Sequence, residues 1–228
     1  MIILKKSIRL ILGFLLCASS TVFMLNSNLG LSPWDVFHQG ISNVTGITIG
    51  EASILTSVLV VLIGIMLKQK IGIGTLLNIL FVGKFIDIIN ESNIIPVANS
   101  LFSGIVMMII GMFVMGYGCY LYIGCEIGCG PRDGLMIGLS QKLNKPIKIV
   151  RGSIEISVLI IGFLLGGAAG LGTFISAVGL GYCMQVIFKT CKFDVVNIRH
   201  KAIMESLEVV NIFTVSYTHL TLPTIYSV

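Results

Sequence analysis

Two short segments carry the residue types best suited to chemistry. Gly30-Leu31-Ser32-Pro33-Trp34-Asp35, with His38 just beyond, and Gly128-Cys129-Gly130-Pro131-Arg132-Asp133 share the pattern G-x-x-P-x-D. Ser32 suits a helix N-cap, Pro33 and Pro131 suit the first helical position, and Asp35 and Asp133 fall in the first turn, where the dipole favours an acid. Two readings of this geometry stand side by side. In one, the two acids simply cap short helices. In the other, each segment begins a broken helix inside a membrane, and its free N–H groups and positive dipole end bind an anionic or polar group of a solute. On that reading Gly30, Pro33, Trp34, Asp35, His38, Gly128, Pro131, Arg132 and Asp133 line a substrate site. Trp34 and Arg132 hold the same place in the motif, so one half of the site is aromatic and the other cationic. His38 either titrates near neutrality there or caps and pairs locally, as a lone histidine commonly does.

A second group lies within long apolar stretches: Asn78, Lys84, Asp87 and Glu155, with Glu51 near an edge. Intramembrane charges are costly and usually face the bundle interior. Lys84 and Asp87 are three apart on one helix face and able to pair, and Glu155 is placed to meet Arg151 at i, i+4. Asn78 can line a cavity or bond a neighbouring helix. Gly72-Ile73-Gly74-Thr75 and Gly170-Leu171-Gly172-Thr173 resemble phosphate loops only superficially, since no G-K-[ST] follows. Cys125 and Cys129 have three residues between them rather than two, and no histidine accompanies them, so metal or disulfide chemistry is the weaker reading and most of the six cysteines read as small apolar fillers. With no Ser/His/Asp set, zinc signature or carboxylate dyad in the apolar segments, the sequence assigns no catalytic residue, no metal ligand and no cofactor, and an enzyme is not expected.

The elements that must position these residues are membrane helices. Of 228 residues, 55% are apolar and 11% charged, 26 are glycine, and the mean hydropathy is +1.00. A soluble domain carries about 25% charged residues. Soluble enzymes, nucleic-acid binders and disordered chains are thereby excluded. Six stretches suit spans of about 20 residues: 7–26, 51–67, 71–90, 99–123, 151–167 and 171–188. The first follows Lys5, Lys6 and Arg9 and imitates a signal peptide, but its apolar run is too long and it reads as an uncleaved span. With the N-terminus inside, every Lys and Arg except Lys84 falls on the cytoplasmic side, so both termini are expected there. The net charge of +5 is therefore a topology signal.

The chain also repeats itself. A shift of 98 residues superposes Gly13 on Gly111, Gly30 on Gly128, Pro33 on Pro131, Asp35 on Asp133, Gly40 on Gly138, and Gly72, Gly74 and Thr75 on Gly170, Gly172 and Thr173. The expected fold is an all-α polytopic membrane protein whose six spans form two inverted three-span repeats, 5–90 and 103–190, each with a short re-entrant or interfacial half-helix. Residues 1–213 make one membrane domain, with 191–213 a truncated cytoplasmic tail. Residues 215–228 resemble a translated sequencing-adapter tail and are set aside. A rival count lets 33–44 and 131–143 cross as well. The repeats are then parallel, with four spans each, and Lys68 and Lys70 lie outside.

The strings GLSPWDVFHQGIS, TIGEASI, GIGTLLNILFVGKFID, GCGPRDGLMIGLS and GLGTFI resemble the YczE/YitT-type family of bacterial multi-pass membrane proteins over about residues 7–190. Ser32 and Cys129 depart from the Gly or Ala expected there. The resemblance implies a multi-pass protein of the bacterial cytoplasmic membrane. The family is largely uncharacterised, so no residue role is carried over. The repeats and paired broken-helix motifs lead to the expectation of a small-solute permease or exporter working by alternating access, with the lipid bilayer, a small anionic or polar solute and a second copy of the chain as partners, and no nucleic acid. The alternative is a non-transporting accessory or scaffold protein for an enzyme or another membrane complex.

Overall fold

The computed structural model describes residues 2–69, 71–128 and 130–193. The expectations placed on the tail from 194 onward, on Lys70 and on Cys129 lie outside the described residues. These form eight α-helices and no strand: α1 (Ile2–Asn26), α2 (Pro33–Thr45), α3 (Ile49–Met66), α4 (Ile73–Glu91), α5 (Leu101–Ile123), α6 (Pro131–Leu143), α7 (Ile147–Leu164) and α8 (Leu171–Thr190). The first residues of α6, α7 and α8 stand 98 positions after those of α2, α3 and α4.

Local signals explain the boundaries. Pro33 and Pro131 open α2 and α6, and both helices end on a left-handed residue, Gly46 at φ 77° and Asn144 at φ 52°. Thr48 and Glu51 form a capping box on α3. At 13 residues each, α2 and α6 are about 20 Å long, short of the roughly 30 Å of a bilayer's hydrocarbon core. Five helices are long and apolar enough to cross: α1 over 5–26, α3, α4, α5 and α8. The sixth expected span falls on α7, which carries Lys148, Arg151 and Glu155 among its 18 residues and is not in that set. Large apolar side chains face outward on the long helices, among them Leu62, Phe102, Ile160 and Phe174, as a lipid-facing surface requires.

The core is a pair of antiparallel helices from the two halves. Along α1 and α5, Gly13 meets Gly118 and Tyr122, the Ser20 hydroxyl donates to the Gly111 carbonyl at 2.7 Å, and Ser27 meets Gly104. A Cβ on Gly13 would stand 3.0 Å from the Gly118 oxygen, so small residues set how near the backbones come. Around this pair the halves exchange their short helices: α2 packs on α7 and α6 packs on α3.

Candidate functional site

The two repeated motifs occur together because each docks on the other, across the halves. Leu29 accepts a hydrogen bond from Gly172 N at 2.7 Å, and Ile127, its equivalent, accepts one from Gly74 N at 3.1 Å. Gly30 has φ +108°, and a Cβ there would lie 2.6 Å from Gly170 N. Gly128 has φ +153°, and its Cβ would lie 2.8 Å from Thr75 Oγ1. Neither position admits a side chain. Gly30 and Gly128 thus shape the approach to the short helices, and their contacts are with protein backbone and threonine.

Beyond each glycine the chain turns into a short helix, and the two helices start beside one another. The Arg132 Cζ lies 4.8 Å from the centroid of the Trp34 ring, a cation–π contact. Positions 34 and 132 are equivalent in the repeat, so the two halves meet at their matching residues. Arg132, grouped above with the cytoplasmic cations, therefore sits half-buried at the junction of the halves. Trp34 also packs with Val60 of α3 and Leu135 of α6.

The first turn of α2 is polar and closed. Asp35 is 3% exposed and His38 0%. The sequence suggested Ser32 as an N-cap, but its hydroxyl makes no cap bond and donates instead to Asp35 Oδ2 at 2.5 Å. The other carboxylate oxygen faces His38 Nδ1 at 3.5 Å, an electrostatic contact too long to serve as a good hydrogen bond. Both ring nitrogens of His38 and Trp34 Nε1 are buried without a hydrogen-bond partner. At α6, Asp133 is half-buried, and its Oδ2 and the Tyr122 hydroxyl each come within 3.1 Å of where a Gly130 Cβ would stand.

Two cavities flank this junction. One, about 280 Å³, is lined by Asn26, Asn28, Gly30, Gln39 and Ala168 among others. The other, about 20 Å³, lies against Val60, Gln69, Thr75, Pro131 and Leu135.

Residues 4–189 match the model of a family described as a family of unknown function, DUF6198. The chain belongs to that family. It is similar to an uncharacterized protein of Haemophilus influenzae, 44% identical over 159 residues, 70% of this chain and 72% of that protein. It is also similar to the uncharacterized membrane protein YczE of Bacillus subtilis, 33% identical over 158 residues, 69% of this chain and 73% of the relative. YyaS of the same organism is 26% identical over 179 residues, 77% of this chain and 88% of the relative. No solved structure matches the chain. The YczE relative agrees with the motif resemblance, and with the apolar helices it makes this DUF6198 chain a membrane protein.

The remaining candidate residues of the DUF6198 chain stand apart from the junction. Asp87 does not pair with Lys84. Its Oδ2 accepts from the Thr48 hydroxyl at 2.7 Å and its Oδ1 from Gly50 N at 2.8 Å, tying α4 to the start of α3, while Lys84 is exposed. Local spacing could not reveal this, because the partners lie 37 and 39 residues away. Glu155 pairs with Arg151 at 2.9 Å, as its i, i+4 spacing suggested. Asn78 is half-buried in α4. Cys17, Cys125 and Cys183 are buried free thiols within apolar clusters, and among the described residues no group of His, Cys, Asp and Glu is arranged to hold a metal. Sequence reasoning missed Ser32 as the partner of Asp35 and Asn26, Asn28 and Gln39 as cavity residues. The only available signal was their density around the first motif.

Proposed function

We propose that this protein is a permease or exporter for small polar or anionic solutes in the bacterial cytoplasmic membrane. Six helices cross, α7 included, as two inverted three-span repeats, and α2 and α6 are re-entrant half-helices. The antiparallel run of α1 against α5 supports this, since equivalent helices of opposite direction give the halves opposite orientation in a bilayer. The 13-residue length of α2 and α6 supports re-entry over crossing. The cations at Lys5, Lys6, Arg9 and Lys68 support cytoplasmic termini by the positive-inside rule, and on that reading the larger cavity faces outward. The protein has no enzymatic role on this reading, and two copies make the working unit.

The observation that carries the reading is the junction of Trp34 with Arg132. Two half-helices start there, and their positive dipole ends converge on a place that already holds Asp35, His38 and Asp133. The test is uptake into proteoliposomes of a radiolabelled panel of amino acids, short carboxylic acids and sugars. Uptake by the native chain, lost in Asp35→Asn and Asp133→Asn variants that still fold, is the expected result. No uptake of any panel member, with both variants only less stable, would favour the accessory or scaffold role.

A further inference from the structure

A neutral imidazole presents one N–H donor and one lone pair, and His38 meets neither need from the protein. The side chain is 0% exposed, and no hydrogen-bond partner reaches Nδ1 or Nε2. Leaving such groups unpaired costs about 1–3 kcal/mol each. The carboxylate next to it is fixed: Ser32 holds Asp35 Oδ2 at 2.5 Å, which leaves Oδ1 directed at His38 Nδ1 from 3.5 Å. A structural histidine would be bonded. This one is held next to a carboxylate with its nitrogens open.

We propose that the Asp35–His38 pair is a proton-binding site at the start of α2. This rests on the permease reading, because it takes that helix start to face the solute path. The step is simple: an imidazole nitrogen of neutral His38 takes one proton from a hydronium ion in the path, an O–H bond breaks as the N–H bond forms, water is left behind, and the resulting imidazolium is balanced by the Asp35 carboxylate. Release returns the proton to water. A buried acid beside a histidine is the usual composition of an intramembrane proton relay.

One cation competes with the proton. Arg132, at the start of α6, favours the Asp35 carboxylate and opposes a positive charge on His38, so the imidazolium depends on Asp35 as its counter-charge. On α3, packed against α2, the titratable side chain is Glu51, engaged in the Thr48 capping box. On α7, also packed against α2, Arg151 and Glu155 pair with each other near its start. Cys183 of α8 packs in the apolar cluster that includes Val36.

The sequence has three histidines, His38, His200 and His219. His200→Gln with His219→Gln leaves His38 as the sole histidine, so ring-nitrogen NMR of ¹⁵N-histidine-labelled full chain in lipid nanodiscs reports on it directly. As the pH falls from about 9 to about 4, His38 is expected to pass from neutral ring to imidazolium. In Asp35→Asn the midpoint moves about one pH unit to the acid side, because the imidazolium loses its counter-charge, while Asp35→Glu leaves it in place. A ring that stays neutral throughout, or a midpoint that Asp35→Asn leaves unmoved, overturns the proposal. A silent His38 in a chain that takes up panel solutes removes the proton site and leaves the permease. A titrating His38 in a chain that takes up none removes the permease reading and leaves the proton site.

Discussion

The starts of α2 and α6 share backbone and differ in chemistry. Each follows a left-handed glycine docked on the Gly-x-Gly-Thr element of the other half, opens with proline and places an aspartate third. Ser32 becomes Gly130, Trp34 becomes Arg132, and His38 becomes Met136. In α2 the acid is sealed in with a serine and an unpartnered histidine. In α6 the acid and its neighbouring arginine are half-buried. The cavities differ likewise, about 280 Å³ by the α2 approach against about 20 Å³ by α6. The repeat therefore fixes where the two helix starts meet, and the exchanged side chains decide what each can do once there.

The largest effects come from breaking what the halves share. Gly30→Ala and Gly128→Ala each force a side chain into occupied space at positive φ, and each should cost about 3 kcal/mol. Gly30→Ala should cost slightly more, because the nearest atom to its added Cβ, the Gly170 nitrogen, stands at 2.6 Å, whereas the nearest at Gly128, Thr75 Oγ1, stands at 2.8 Å. Thermal unfolding in detergent reads the difference, and equal melting to the native chain would show that the docking is not what holds the halves. Next come the acids. Asp35→Asn and Asp133→Asn should each lower panel uptake about tenfold or more while the protein still folds. Loss in Asp35→Asn alone would confine the chemistry to the first half.

Smaller changes sharpen the contrast. Arg132→Gln removes the cation from the Trp34 face and should destabilise by about 1 kcal/mol, measurable as a lower midpoint of unfolding. Asp87→Asn weakens two bonds to the start of α3 and should also cost about 1 kcal/mol, with uptake unchanged, because it lies outside the junction. Arg151→Gln breaks an ion pair whose arginine is 50% exposed, and should cost less than about 0.5 kcal/mol. A large loss of uptake in Asp87→Asn or Arg151→Gln would mean that the site extends beyond the two helix starts.

Much of this fold is readable from local patterns. Pro33, Pro131 and the residues after them announce short helices, and the 98-residue register recurs in the helix boundaries themselves. Glu155 meets Arg151 because an i, i+4 pair needs nothing but the helix. Long-range partners were not legible. Asp87 bonds to Thr48 and Gly50 rather than Lys84 because a helix start with free N–H groups is a better partner for a carboxylate than a side chain facing outward. The sequence offers Arg132 both as a cytoplasmic cation and as a candidate site residue, and only packing places it over Trp34, since neither charge counting nor the motif reveals a partner 98 residues away. The mutual docking of the two glycine motifs was visible only as a coincidence of positions, because exchange between halves leaves no trace in spacing.

The central claim is that α2 and α6 end on opposite faces of the membrane. Thr45 and Leu143 are equivalent in the repeat, exposed, and the last residues of the two helices. Thr45→Cys and Leu143→Cys, each placed singly in a chain without its native cysteines, can be labelled in intact cells and in inverted vesicles with a membrane-impermeant thiol reagent. The account predicts that Thr45→Cys reacts only from outside and Leu143→Cys only from the cytoplasmic side. Labelling of both from the same side would mean that the short helices cross in parallel repeats, and the meeting of two half-helix starts within a solute path would be contradicted.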